Sequence, residues 1–240
     1  KLQSAITEAA KNYPDQQFAL IDAVCEGEQL ENVTSLLFED NASAYLTGLI
    51  AGRMTETNKV GFIGGMESPV ISKFDYGFRA GVKAANPDAE VMVQYANSFT
   101  DSALGKTIAN QMHSKNADII FTCAGAVGIG AIEAAKENGK KAIGVDQDQN
   151  SLAPENVITS AMKNIDVSVE EMLSKVVDGS YKGGEIIVNT LAMNGVGIPQ
   201  SSEKNVPPDV LTYVKEEAEK VKSGEVKVPA TKEEFEQLNK

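Results

Sequence analysis

The 240-residue chain has no tryptophan, one histidine and two cysteines, and each scarcity excludes a kind of site. With His113 as the lone histidine, no Ser-His-Asp or Cys-His catalytic set can be assembled, and no zinc-ligand spacing is present. His113 lies in the helical stretch NQMHSKN, which predicts a surface position. Cys25 and Cys123 each end an apolar run, a pattern that favours small buried side chains over a disulfide or metal pair. The sequence therefore indicates neither an enzyme nor a cofactor.

Positive charge and long apolar runs are also scarce. The formal net charge is −12, so a phosphate backbone or an anionic membrane surface would be repelled, and nucleic acid is not an expected partner. No apolar stretch approaches the roughly 18 to 20 residues that a membrane-spanning helix needs. The opening residues KLQSAITEAAKNY predict an amphipathic helix rather than a signal peptide, so we expect that a leader has been removed.

Short strand-like runs alternate with helical segments over the first 180 residues, which predicts parallel sheets covered by helices on both faces. In open sheets of this kind, ligands bind beyond the carboxyl ends of the strands. After about residue 180, EIIVNTLAMNGVGIP predicts strands or a hairpin around Asn194 and Gly195, followed by a charged helix over 207–222 and a short closing helix. The predicted strands are 17–22, 33–38, 59–65, 90–95, 118–123, 141–146 and 157–162, and the predicted helices are 2–12, 42–54, 70–86, 102–115, 127–139 and 165–178.

Several strands are followed by residues suited to binding. Asp40, after strand 33–38, is either a helix cap or a ligand-facing acid. Phe99, in the loop after strand 90–95, is either a flat wall on which a sugar or base stacks, or a staple packed on the next helix. The loop CAGAVGIGA, with Gly125, Gly128 and Gly130, superficially resembles a dinucleotide-binding loop, but its glycine order is G-x-x-G-x-G, and close backbone packing explains it better.

An acid and a base end two consecutive strands. Asp146 closes strand 141–146, and Lys163 follows strand 157–162. A carboxylate accepts hydrogen bonds from two neighbouring hydroxyls while an ammonium donates to a hydroxyl or ring oxygen, a pairing suited to ribose. An ordinary salt bridge is the alternative. Asp148, two residues further on, is a second candidate for the acid.

Taken together and in order, seven segments over nearly the whole chain resemble the basic membrane protein family of bacterial lipoproteins. This purine nucleoside receptor group comprises substrate-binding components of ABC transporters. The segments are NYPDQQFALID, FEDNASAYLTGLIAG, KVGFIGGMESPVISKFDYGFRAG, NSFTDSALGK, CAGAVGIGA, IGVDQDQN and TSAMKNID.

The resemblance implies an α/β fold of the two-lobed, type I periplasmic-binding-protein-like kind, with parallel doubly wound sheets and a nucleoside in the cleft between the lobes. One lobe would combine residues 1–58 with 165–240, and the other would span 59–164. It also implies a nucleoside-like ligand, an ABC permease as partner, and an extracytoplasmic lipoprotein held to the membrane by a lipid anchor outside this chain. The positions that match sugar-facing residues in more distant ribose-binding relatives are Asp40, Phe99, Gly125, Asp146 and Lys163.

One departure from the family affects these expectations. Members normally begin with a strand and a loop of the type TD-x-G-x-x-(N/D)DKSFN, which supplies an acid, an aromatic and an asparagine to the base, and nothing like it occurs here. We therefore expect that the N-terminal strand region is missing and that the nucleoside assignment depends on the sugar-facing half of the site. A different ligand that bears a ribose or ribityl group, such as riboflavin, is an alternative that the sequence leaves open.

Two other functions also fit an α/β chain of this kind. The ligand-sensing core of a transcription repressor uses the same two-lobe architecture, but it would need a DNA-binding segment upstream. An α/β enzyme acting on nucleosides or nucleotides is the second alternative, with a dinucleotide on the 125–130 loop.

Overall fold

The computed structural model describes residues 2–238, and every predicted strand and helix of the first 180 residues is present with its ends within two residues of the prediction. The prediction of an α/β fold built on parallel sheets is thereby confirmed. The strands are β1 (Phe18–Ile21), β2 (Val33–Phe38), β3 (Lys59–Gly64), β4 (Glu90–Tyr95), β5 (Ile119–Cys123), β6 (Lys141–Asp146), β7 (Val157–Lys163), β8 (Ile186–Asn189) and β9 (Val196–Gly197). The helices are α1 (Gln3–Asn12), α2 (Asp40–Met54), α3 (Pro69–Ala85), α4 (Ser102–Ser114), α5 (Ala126–Glu137), α6 (Ile165–Asp178), α7 (Pro208–Lys222) and α8 (Lys232–Gln237).

The chain divides into two compact units. The first contains the residues up to Glu39 together with Asn164–Gly195, and the second contains Asp40–Lys163 together with the residues from Val196 onward. The lobes expected from the sequence, 1–58 with 165–240 and 59–164, have boundaries that differ from those of these compact units. The lobes stay a prediction.

The first unit is built on a parallel sheet of three strands in the order β1, β2, β8. Ala10, Leu20, Cys25 and Val33 form its buried core. The side-chain amide of Asn32 lies within 3.1 Å of three backbone carbonyl oxygens at and just beyond the end of α1, so it fixes how that helix ends. Cys25 is buried as expected for a small apolar residue.

The second unit is built on six strands in the order β4, β3, β5, β6, β7, β9, all parallel except β9, which runs antiparallel to β7. Four phenylalanine rings fill the space between this sheet and α3, with ring centroids 5.2 to 6.3 Å apart. Each is at most 1% exposed, and burial of such a side chain stabilises the fold by roughly 1.5 to 3 kcal/mol. The four are Phe62, Phe74, Phe78 and Phe121.

A buried acid lies beside this aromatic core. The Tyr95 hydroxyl donates a hydrogen bond to Oδ2 of Asp75 at 3.1 Å, and Arg79 lies 3.8 Å from Oδ1. Burial raises the pKa of Asp75, and burial together with the nearby Asp75 raises the pKa of Tyr95. The hydrogen bond from Tyr95 to Asp75 holds the Tyr95 ring at the end of β4, edge-on to Phe62.

Neighbouring helices of the second unit pack with their backbones in close approach, and glycine makes this possible. A Cβ on Gly105 of α4 would overlap the carbonyl oxygen of Val127 in α5, and one on Gly130 would overlap that of Ser102. The close-packing interpretation of the glycine-rich segment is confirmed at Gly130.

Of the two alternatives for the segment around Asn194 and Gly195, separate strands form rather than a hairpin, because β8 pairs with β2 in one sheet while β9 pairs with β7 in the other. One expectation from the sequence is wrong. His113 is buried rather than on the surface: it lies at the end of α4, where its Nδ1 is 3.0 Å from the carbonyl oxygen of Ala117. Burial lowers the pKa of His113.

Within residues 2–238, no helix combines the length and the apolar character that a membrane-spanning segment requires.

Candidate functional site

The carboxyl ends of five parallel strands lie along one edge of the second unit's sheet, because β4, β3, β5, β6 and β7 are neighbours in that order. Phe99 and Gly125 lie in the loops that follow β4 and β5, while Asp146 and Lys163 are the last residues of β6 and β7. The structure thus places four of the five predicted site residues at the edge where open parallel sheets bind ligands. That they bind a ligand stays a prediction.

Phe99 lies against glycine backbone. A Cβ built on Gly65 would overlap the Phe99 ring, so the ring lies directly over the main chain that follows β3. Only part of the ring is buried. In the same loop, Asp101 caps α4, since its side chain accepts a hydrogen bond from the backbone N–H of Leu104 at 3.0 Å.

Gly125 is the N-cap residue that precedes α5, and its φ of 58° and ψ of −128° favour glycine. A Cβ there would come within 2.8 Å of the carbonyl oxygen of Phe99. That oxygen accepts a hydrogen bond from the N–H of Ala126 at 2.8 Å, so the first turn of α5 holds the backbone of Phe99. Gly125 therefore allows the two loops to meet.

Asp146 and Asp148 occupy different surroundings. Asp146 is exposed at the end of β6 and has a φ of 65°, which turns the chain sharply at the sheet edge. Asp148 is used locally, because its Oδ1 accepts a hydrogen bond from the backbone N–H of Asn150 at 3.0 Å. That Asp146, rather than Asp148, meets the ligand stays a prediction.

Lys163 forms a buried ion pair with Asp40. Its Nζ lies 3.1 Å from Oδ1 of Asp40, and the side chains are 4% and 1% exposed. The ammonium also lies 5.5 Å from the centroid of the Phe74 ring, within cation–π range. Asp40 is the first residue of α2, where the helix dipole favours a negative charge. Asp40 thus fixes the position of the Lys163 ammonium at the end of β7.

Sequence reasoning missed two features of this edge. Lys163 was paired with Asp146 because the two close consecutive strands, whereas the ion pair in the structure is with Asp40, far away in the sequence. The contact between Gly65 and the Phe99 ring is the second feature that the sequence did not predict. An aromatic residue in the loop after one strand and a glycine after the neighbouring strand are the signals that point to such a contact.

Comparisons with known proteins give one consistent picture. The family model "ABC transporter substrate-binding protein PnrA-like", Bmp, matches residues 1–232. A "CD4+ T-cell-stimulating antigen" of Listeria monocytogenes is 40% identical over 95% of this chain and 68% of its own length. The "ABC transporter nucleoside-binding protein BmpA" of Lactococcus lactis is 38% identical over 95% of this chain and 69% of its own length. Among solved structures, an ABC transporter solute-binding protein of Aeropyrum pernix superposes with a TM-score of 0.86 at 28% identity, covering 98% of this chain and 77% of that one.

Proposed function

The chain belongs to the Bmp family of PnrA-like ABC transporter substrate-binding proteins, and on that premise we propose that its ligand is a purine nucleoside or a related ribose-containing molecule. Membership of this family implies a small-molecule ligand, a transporter permease as partner and an extracytoplasmic location. The ligand's identity is what the proposal adds. The name of the Lactococcus lactis relative, a nucleoside-binding protein, supports it.

One observation carries the proposal: an aromatic ring after β4, an exposed carboxylate at the end of β6 and a fixed ammonium at the end of β7 lie along a single sheet edge. The partly exposed ring of Phe99 suits the face of a purine base. Asp146 accepts hydrogen bonds from ribose hydroxyls, and Lys163, held by Asp40, donates one to a hydroxyl or to the ring oxygen. Gly125 supports the Phe99 loop.

The proposed action is reversible binding without a chemical step. Among residues 2–238 there is no cluster of three or more histidine, cysteine or acidic side chains able to hold a metal ion, and the lone histidine is buried away from the strand ends. The sequence-based lobes, 1–58 with 165–240 and 59–164, are the proposed moving parts. A lipid anchor is proposed to hold the protein at the membrane.

Calorimetric titration with inosine, guanosine, adenosine and ribose tests the assignment. Asp146→Ala should weaken nucleoside binding by about 1.5 to 3 kcal/mol, because it removes a charge-assisted hydrogen-bond acceptor. Asp148→Ala is the matched control and should bind nearly as the unmodified protein does, because its carboxylate serves a local turn. Absence of nucleoside binding, or an Asp146→Ala variant of unchanged affinity, would contradict the assignment.

A further inference from the structure

Two consecutive glycines at the end of β3 each support an aromatic ring. Gly64 pairs with Tyr95 across the sheet, and a Cβ on Gly64 would lie 2.7 Å from two carbons of the Tyr95 ring. A Cβ on Gly65 would overlap three carbons of the Phe99 ring. Successive residues of extended chain point to opposite faces, so the two rings lie on opposite sides of this backbone.

The two rings are held differently. Tyr95 is tied to α3 through its hydrogen bond to Asp75 and is packed against Phe62. Phe99 is held by its backbone carbonyl, which accepts from Ala126, while its ring lies on Gly65. The glycine thus covers part of the Phe99 ring, and the rest of the ring is open to solvent.

We infer that Gly65 is a positioning residue that sets the depth at which Phe99 presents its ring to a nucleobase. The inference rests on the proposed function and deepens it. It states that the ring proposed to stack on the base owes its position to a glycine, Gly65, which has no side chain. A single methyl group at position 65 would push the ring outward into the space that the base needs. The three atoms nearest to that methyl group all belong to the Phe99 ring, so we expect the protein to keep its fold.

Gly65→Ala tests the inference by calorimetry with inosine, guanosine and adenosine. We expect binding about tenfold weaker, the size of a lost aromatic stacking contact. Gly64→Ala is the matched control: the same methyl group is added one residue earlier and meets the Tyr95 ring on the other side. It should change nucleoside affinity by less than about twofold.

A double-mutant cycle with Phe99→Ala separates positioning from general damage. If Gly65 acts through the ring, Gly65→Ala should cause no further loss of affinity once Phe99 is alanine, and the double variant has room for the added methyl group. Equal losses in both backgrounds, or a Gly65→Ala variant that binds as well as the unmodified protein, would overturn the inference and leave the proposed function standing. An unmodified protein that binds none of the three nucleosides would overturn both.

Discussion

Lys163 forms an ion pair with Asp40 in the interior of the protein. Both side chains are almost fully buried, and Nζ of Lys163 lies 3.1 Å from Oδ1 of Asp40. A buried pair contributes little net stability, but removing one partner is costly because the other charge is left without compensation. If Lys163 binds the ligand as proposed, an ammonium already held in one place loses less freedom on binding. Asp40 is therefore best understood as the residue that holds Lys163.

Lys163→Met should lower the free energy of unfolding by about 3 to 5 kcal/mol, measured by urea denaturation, because it strands the Asp40 carboxylate. Lys222→Met is the control, since it breaks an exposed pair with Glu219 of 2.8 Å and should cost less than about 1 kcal/mol. Replacing both partners, with Asp40→Leu added to Lys163→Met, should recover much of the loss. If Lys163→Met and Lys222→Met lowered the free energy of unfolding by similar amounts, the result would contradict this account of the buried pair.

At the scale of the elements, strand and helix positions follow from local patterns, whereas their pairing does not. The alternation of β-branched runs and helical segments located every element of the first 180 residues. The segment around Asn194 and Gly195 predicted strands or a hairpin, and local pattern could not decide between them because β8 and β9 take their partners, β2 and β7, from distant parts of the chain. The Asp40–Lys163 pair and the Gly65–Phe99 contact lay beyond local patterns for the same reason. The sequence did point to the sheet edge, because strand ends are local features.

Helix packing supplies a prediction at this scale. Gly105→Ala places a methyl group against the backbone carbonyl of Val127, which cannot move without shifting α5, so the free energy of unfolding should fall by about 1 to 3 kcal/mol. Gly128→Ala should cost less, because its methyl group meets a side-chain hydroxyl, that of Thr122 at 2.9 Å, rather than the backbone of another helix. Thermal and urea unfolding compare the two. A Gly105→Ala variant as stable as Gly128→Ala would contradict close backbone packing.

For the whole molecule, family membership decides between functions that the fold leaves open. A repressor core and a substrate-binding protein share this architecture, but the family model and the relatives at 38 to 40% identity select the second. The formal net charge of −12 also gives no support to binding nucleic acid. Within the family, the proposed ligand has a flat ring and several hydroxyls, which would suit Phe99 and Asp146 at the sheet edge.

Native mass spectrometry tests this central claim most directly. The protein is incubated with an equimolar mixture of inosine, guanosine, adenosine, ribose and riboflavin, and the mass of the bound species identifies the preferred ligand. We expect one purine nucleoside bound per chain, and a much smaller bound fraction in the Asp146→Ala variant under the same conditions. A chain that carries ribose or riboflavin instead, or that carries none of the five, would contradict the account.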